Sequence, residues 1–458
     1  MSELRAEDAS TGTIAAIASP PGRGGVGIVR VSGPSAGQIA VSVIGRSLPP
    51  PRHASLVPFR GSDGQLIDRG LLLYFAAPAS FTGEDVVEFH AHGGPVVLAL
   101  LLDACLAAGA RLARAGEFSL RAFLNGKLDL LQAEATADLI AAGSVRAARA
   151  AMRSLEGAFS QRVQTLKDQV ISLRVQVEAA IDFGSEDIEP AAASSIIRQG
   201  QGVAEHIAAL RRDAEVGVRA GEGLRVVLVG APNVGKSTLL NQLAQRNTAI
   251  VTPMAGTTRD IVREQLVLDG IAVELLDTAG LRSEASLDPV EEEGIRRARG
   301  LLPAADLVLL VIDAAIPPAS RVLPMLASAL ALDAVEDRIL IIVNKVDISG
   351  EPAGWRDGML HVSGTTGAGI DLLRRHLADI AGAATDGGAF AARRRHVASL
   401  DAALAALRAG LGAMNDHPAI ELLAEDLRIV QRHLGELVGD VSADDLLGAI
   451  FATFCIGK

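Results

Sequence analysis

Residues 230–238 read GAPNVGKST. Gly230 and the run Gly235–Lys236–Ser237 fit the spacing G-x-x-x-x-G-K-[S/T], and the flanks agree with it. RVVLVG before the loop is a β-branched run, and STLLNQLA after it has helical character. Glycine at these positions lets backbone N–H groups curl around a phosphate, and the N-terminus of the following helix adds partial positive charge. Lys236 is placed to reach β- and γ-phosphate oxygens, and Ser237 offers a hydroxyl to Mg²⁺. Asn233, Val234 and Thr238 complete the loop. Strand, loop and helix in this order predict a phosphate-binding unit in a parallel α/β sheet.

Working outward, the next element is DTAG, residues 277–280, at the end of the run AVELL. Asp277 is suited to hold Mg²⁺ through water, and the amide of Gly280 to sense a γ-phosphate, with Thr278 and Ala279 between them. Between the two motifs lies the turn-rich loop Thr252–Pro253–Met254–Ala255–Gly256–Thr257–Thr258, whose threonines offer a further Mg²⁺ ligand. Base choice comes from NKVD, Asn344–Lys345–Val346–Asp347. The Asp347 carboxylate accepts two hydrogen bonds from the N–H and NH₂ edge of guanine, whereas adenine presents an acceptor there. Asn344 supports the loop, the Lys345 stem lies along the ring, and Ser363–Gly364–Thr365 supply backbone contacts to the guanine oxygen. Four motifs in this order imply a GTPase.

Its route to hydrolysis departs from the common one. Leu281 follows DTAG where many GTPases carry a water-orienting Gln. Asn233 and the oxygens of the 252–258 loop suit a monovalent cation such as K⁺, which would do the electrostatic work of an arginine finger. Downstream, VEEEG offers three carboxylates to orient water, and read without function it is a solvated acidic helix start.

The rest of the 458 residues fall into zones. Residues 13–125 mix strand-like runs (GIVRVSG, GLLLYFA, EDVVEFHAH) with Gly/Pro turns, an α+β pattern. From about 128 to 217 the pattern is helical, with Val163, Leu166, Val170, Leu173 and Val177 on one face. An α/β alternation begins near Leu224, and helices resume after ATDGGAFAARRRH. Helices on both sides of an α/β unit imply a discontinuous helical domain with a second domain inserted. The expected bounds are 1–127, 128–217, 218–384 and 385–458.

A net charge of −11 removes a globally basic nucleic-acid binder, and 3% aromatic residues argue against base-stacking platforms. Two cysteines cannot form a disulfide framework, which implies a reducing, cytoplasmic setting. Cys105, in an apolar run, reads as a buried inert thiol. No uncharged apolar stretch of membrane-spanning length is present, so no membrane segment is expected. GRGGVG, residues 22–27, fits a dinucleotide fingerprint, but a strand-like run follows and the acid expected about 20 residues on is missing. EFHAH puts Glu88, His90 and His92 on one strand face. A metal triad is one reading, and polar residues of a cleft the favoured one. Arg393–His396 is a short basic cluster, a solvated helix start or an RNA contact. The end, FCIGK, sets Cys455 at a C-a-a-X position, but Gly457 and Lys458 fit the last two places poorly. Leu446, Leu447, Ile450, Phe451 and Phe454 share one helical face, which predicts a docked helix that delivers the tail.

TIAAIASPPGRGGVGIVRVSG, SFTGEDVVEFHAHGGP, AGEFSLRAFLNGKLDLLQAEA, EAAIDF, GGAFAARRRH and DDLLGAIFATFCIGK together resemble the MnmE (TrmE) family of tRNA-modification GTPases over nearly the whole chain. That resemblance implies a folate-binding, dimerising N-terminal domain, a discontinuous helical domain and an inserted P-loop GTPase domain. It implies Mg²⁺ on Ser237 and Thr258, and K⁺ on Asn233, Thr252, Met254 and Thr257. Of the VEEEG acids it selects Glu291 as the catalytic one. It maps a 5-formyl- or 5,10-methylene-tetrahydrofolate onto Arg30, Glu88, Lys127 and Lys458, with Cys455 as a functional thiol beside it. It also implies a homodimer, and a heterotetramer or larger assembly with the FAD-binding partner MnmG. The reaction it implies places an aminomethyl-type group on C5 of the wobble uridine of tRNA, with amine from glycine or ammonium.

Overall fold

A computed structural model describes residues 12–183, 190–231, 233–244, 262–268, 271–277, 302, 305–315, 337–380, 390–416, 420–440, 444–454 and 457. Its contacts divide the chain into two compact units, Met1–Ala137 with Ser154–Ala208 and Ser399–Lys458, and Asp138–Arg153 with Ala209–Ala398.

The first unit begins with β1 (Ile14–Ile17), β2 (Gly24–Ser32), α1 (Ala36–Ile44), β3 (Ser55–Arg60), β4 (Leu66–Phe75), β5 (Val86–Gly93), α2 (Pro95–Ala107), β6 (Arg111–Leu112) and α3 (Glu117–Leu124). The six strands form one sheet in the order β3-β4-β5-β2-β1-β6, antiparallel except for the β1–β6 pair. One face of the sheet is apolar by alternation: Val29, Val31, Val87, Phe89 and Ala91 point into a core with Ile39, Val43, Leu98 and Leu101 from α1 and α2. Cys105 sits in that core, fully buried, and burial pushes its thiol up to about 12. The opposite face carries Arg30, Glu88 and His90.

Helices follow: α4 (Leu130–Ala141), α5 (Val145–Leu155), α6 (Ala158–Phe183) and α7 (Pro190–Glu222). On α6 the stripe Val163, Leu166, Val170, Leu173 and Val177 is buried as its spacing predicts.

In the second unit come β7 (Leu224–Val229), α8 (Lys236–Ala244), β8 (Val262–Leu268), β9 (Ile271–Asp277), β10 (Leu307–Asp313), β11 (Ile339–Asn344), α9 (Val346–Ser349), β12 (Gly354–Arg356), β13 (Met359–His361) and α10 (Ile370–Ile380). Seven strands pair in the order β12-β13-β11-β10-β7-β9-β8; the five central ones are parallel and the two edges antiparallel. The central strand β10 reads as an apolar run up to Asp313, and β7 as one interrupted by Arg225, because both faces are covered. In such sheets ligands bind beyond the carboxyl ends of the strands, and the P-loop, NKVD and SGT segments all leave from those ends.

The chain closes with α11 (Arg394–Asp416), α12 (Ile420–Val438) and α13 (Asp444–Ala452). Among the described residues, Arg394–Met414 on α11 is long and apolar enough to cross a membrane by length and composition. It carries Asp401 and Arg408 and buries Leu400, Ala403, Leu407 and Leu411, the pattern of a core helix. Within the first unit α6 lies along α12, whose Leu423, Leu427, Val430 and Leu434 are buried. Lys167 of α6 pairs with Asp440 just beyond α12.

The docked C-terminal helix predicted from sequence is present. Leu447, Ile450, Phe451 and Phe454 pack on Leu120, Leu130 and Ala133, each worth about 1.5–3 kcal/mol when fully buried. Leu446 lies outside the described side chains. Phe451 meets Phe123 at 6.3 Å between centroids and Phe454 at 5.2 Å. Gly116, at φ +67°, lets α3 approach so closely that a Cβ there would lie 2.4 Å from the Phe451 carbonyl oxygen.

Candidate functional site

The P-loop leaves β7 at Gly230, whose φ of +155° and contact with β10 admit no side chain: a Cβ would lie 2.3 Å from the carbonyl oxygen of Val311. Asn233 (φ +63°) and Gly235 (φ +92°) turn the loop so that α8 starts at Lys236. Asparagine tolerates the left-handed region better than most residues. Lys236 is buried, and its ammonium donates to the carbonyls of Gly230 (2.7 Å) and Ala231 (2.9 Å), inside the loop it serves. Ser237 and Thr238 are exposed in the first turn of α8, where a hydroxyl suits a hard cation, and the exposed carboxamide of Asn233 offers the same class of oxygen. Val234 is buried beneath them.

Asn344 ties this loop to the segment that carries Ser363 and Gly364. Its side chain, 2% exposed, donates through Nδ2 to the carbonyl of Val234 (2.8 Å) and accepts at Oδ1 from the Gly364 amide (2.9 Å). Ser363 donates to Oδ1 of Asp347 (2.5 Å) and accepts from the Thr366 amide (3.0 Å). Ser363 and Gly364 are buried and Thr365 is exposed. Val346 is buried and its amide reaches the carbonyl of Val362 (3.2 Å). Lys345, at φ +71°, pairs with Asp313 at 2.7 Å. Burial opposes ionisation of Asp313, but the Lys345 ammonium and the Ala315 amide outweigh it and hold its carboxyl below the ordinary value. The backbone of Asp277 ends β9 opposite Leu228 of β7, beside the P-loop strand. Thr252, Pro253, Met254, Ala255, Gly256, Thr257, Thr258, Thr278, Ala279, Gly280 and Glu291 lie outside the described residues.

A second polar cluster sits in the other unit. Arg30 of β2 and Glu88 of β5 are direct cross-strand neighbours. The guanidinium donates from Nε to Glu88 Oε1 at 2.9 Å and pairs with it again at 2.8 Å. Its remaining nitrogen donates to the carbonyl of Gly457 at 3.3 Å, so the C-terminal segment meets this pair. Gly457 (φ +98°) is pressed on β1: a Cβ would lie 2.6 Å from the Ile17 carbonyl oxygen. His90 contacts Glu88 Oε2 at 3.1 Å. His92 does not join them; it is 76% exposed and its ring meets Asp68 of β4 at 2.9 Å. No group of metal-ligating side chains occurs among the described residues, and EFHAH is a polar cluster rather than a triad. Carboxylate, guanidinium and backbone carbonyl thus converge at one place. Lys127 lies on the adjoining loop, where its ammonium donates to the carbonyl of Pro78 at 3.0 Å. Cys455 and Lys458 lie outside the described residues.

Sequence reasoning missed the charges that support this cluster. Arg121, 2% exposed, pairs with Glu84 at 2.9 Å and with Glu117, also fully buried, at 3.2 Å. Glu117 pairs in turn with Arg111 and accepts from the Arg114 amide at 2.9 Å. Burial would raise the Glu117 carboxyl; the Arg111 hydrogen bond, the amide and the two positive charges win and hold it low. Ser32, two residues from Arg30, donates to Glu84 (2.7 Å) and accepts from Thr82 (2.7 Å). The i, i+4 spacing of Glu117 and Arg121 was a visible signal.

Two family profiles match the chain, "MnmE helical domain" over residues 130–455 and "GTP-binding protein TrmE N-terminus" over residues 13–127. Among curated relatives, the tRNA modification GTPase MnmE of Pseudomonas paraeruginosa is 52% identical over 456 residues, 98% of this chain and 100% of that one. The protein of the same name from Stutzerimonas stutzeri is 51% identical over 97% of this chain and 99% of its own, and that from Chromohalobacter salexigens 49% identical over 97% and 98%. Among solved structures, the G domain of the T. maritima FeoB iron transporter is similar over 34% of this chain and 98% of that one, at 25% identity and a TM-score of 0.26.

Proposed function

Because this chain belongs to the MnmE family of tRNA modification GTPases, we propose that it uses GTP hydrolysis to drive addition of an aminomethyl or carboxymethylaminomethyl group to C5 of the wobble uridine of tRNA. It is a GTP hydrolase, and the product of that step is GDP. Lys236 and the amides around Gly235 bind the β- and γ-phosphates, while Asp347, held by Ser363, reads the guanine edge. Mg²⁺ would be held by Ser237 and Thr258, and K⁺ by Asn233, Thr252, Met254 and Thr257; the two cations supply positive charge where the transferred phosphoryl group develops negative charge. Glu291 would orient the attacking water.

In the other unit, Arg30, Glu88, Lys127 and Lys458 would hold a tetrahydrofolate, which supplies the one-carbon unit, with Cys455 alongside. The domains we assign are 1–127, 128–217 with 385–458, and 218–384, in a homodimer that joins MnmG in a heterotetramer or larger complex. The amine comes from glycine or ammonium. We place this chemistry in the cytoplasm, where tRNA and reduced folates are at hand.

One observation carries the reading past a bare GTPase: Arg30 bonds Glu88 and the carbonyl of Gly457 at once, 427 residues along the chain. A nucleotide switch has no use for that contact. The test is nucleoside mass spectrometry of bulk tRNA from cells lacking the protein. The C5 aminomethyl-type group is expected to disappear, to return with the full chain, and to stay absent with a chain ending at Phe454. An unchanged nucleoside profile would sink the proposal.

A further inference from the structure

The loop between β4 and β5, residues 76–85, is held from outside at three carbonyls that lie on either side of Phe81. Lys127 donates to Pro78 O at 3.0 Å, Arg52 to Ala79 O at 2.6 Å and Asn125 to Thr82 O at 2.7 Å. Asp85 accepts from the Ala77 amide at 2.9 Å, and Arg121 fixes Glu84 at 2.9 Å. Apart from the Asp85 contact within the loop, these anchors come from the segment before β3, from α3 and from the segment after it, so the loop is rigidly built. Yet the side chain at its tip is not buried by this effort. Phe81 is 37% exposed, and among the described residues it is the one phenylalanine in the set of exposed large apolar side chains. Its ring lies 5.8 Å from the Arg30 guanidinium, which Phe118 approaches at 5.7 Å from within the core. The guanidinium that bonds Glu88 thus lies over the Phe81 ring, and part of that ring is still open to solvent.

An exposed ring costs apolar burial, and holding its loop in one shape costs backbone entropy. Both are offset when a flat ligand stacks on the ring, because every heteroaromatic has a π-face for it. Glu88 would then accept from the donor edge of that ligand while Phe81 covers its face. We propose that Phe81 is the stacking wall for the pterin ring of a reduced folate in the Arg30–Glu88 cluster, and that Lys127, Asn125 and Arg52 act as positioning residues that hold its loop. The inference rests on the folate reading given above. Lys127, a folate ligand in that reading, also holds the loop through the Pro78 carbonyl.

The test is calorimetric titration of the full-length protein with 5-formyl-tetrahydrofolate, using the parent chain, Phe81→Leu and Phe81→Tyr. Leucine keeps apolar bulk under the loop and removes the π-face. Tyrosine keeps both. Stacking of a base on an aromatic side chain sets the scale, so Phe81→Leu is expected to bind at least about fivefold more weakly, with Phe81→Tyr within about twofold of the parent. If Phe81→Leu binds as tightly as the parent, the stacking role is overturned and the folate reading stands. If leucine and tyrosine weaken binding equally, the residue serves loop shape and the proposal fails. If the parent itself takes up no 5-formyl-tetrahydrofolate, the folate reading falls and this inference with it.

Discussion

Replacing Asn344 by alanine tests how the nucleotide site is held together. The side chain satisfies two buried backbone groups, the carbonyl of Val234 in the P-loop and the amide of Gly364 in the base loop. Alanine leaves both without a partner in a place water does not reach, since Val234 is 3% exposed and Gly364 is buried. At about 1–1.5 kcal/mol net per bond, the loss is about 2–3 kcal/mol. Both bonds are present without nucleotide, so the loss divides between stability of the unit and organisation of the empty site. If it falls wholly on affinity, at 1.4 kcal/mol per tenfold, GTP binding weakens roughly 30- to 150-fold. The assay is titration with a fluorescent guanine nucleotide, paired with urea unfolding of the same variant. The two losses together are expected to reach about 2 kcal/mol. Affinity within about threefold of the parent and an unchanged unfolding midpoint would refute the claim that Asn344 joins the two loops.

The Glu117 carboxyl is held below its unfolded value of 4.5, so its contribution to stability is present above that pH and lost as pH falls through the folded value. Urea midpoints measured between about pH 7 and pH 3 are expected to fall more steeply for the parent than for Glu117→Gln below about 4.5, and parallel curves would contradict the assignment. Cys105, buried and pushed up to about 12, is expected to resist maleimide in the native protein and to react once the chain is unfolded. Peptide mapping that finds the label on native Cys105 would count against it.

Contact between consecutive residues is what made the nucleotide site legible. The P-loop, NKVD and SGT motifs are short runs, and each follows a mainly apolar strand of the parallel sheet. The stripe on α6 was readable for the same reason, as local periodicity. The Arg30–Glu88 pair was reachable only through family resemblance, because cross-strand register joins residues 58 apart and no local pattern encodes it. Glu84 and Arg121, 37 apart, are hidden likewise. His92 went the other way: the i, i+4 spacing put it with Glu88 and His90, but Asp68 on the neighbouring strand claims its ring. The β12–β13 hairpin had a signal that went unread, since Asp357–Gly358 is the turn dipeptide that closes it, at φ +47° and +75°.

The contact between Arg30 and Gly457 also has a temporal side. At roughly 5–20 residues per second, the ribosome needs about 20–85 s to add the 427 residues between them. Once β6 is made, the N-terminal sheet waits with its polar cluster unfinished, and all of residues 209–398 are made before Gly457. The Gly457 contact can form only after that stretch has been made. A chain lacking Gly457 would keep residues 209–398 and leave Arg30 without that carbonyl. The fold thereby makes the polar cluster of the N-terminal sheet depend on a segment made after the whole of residues 209–398.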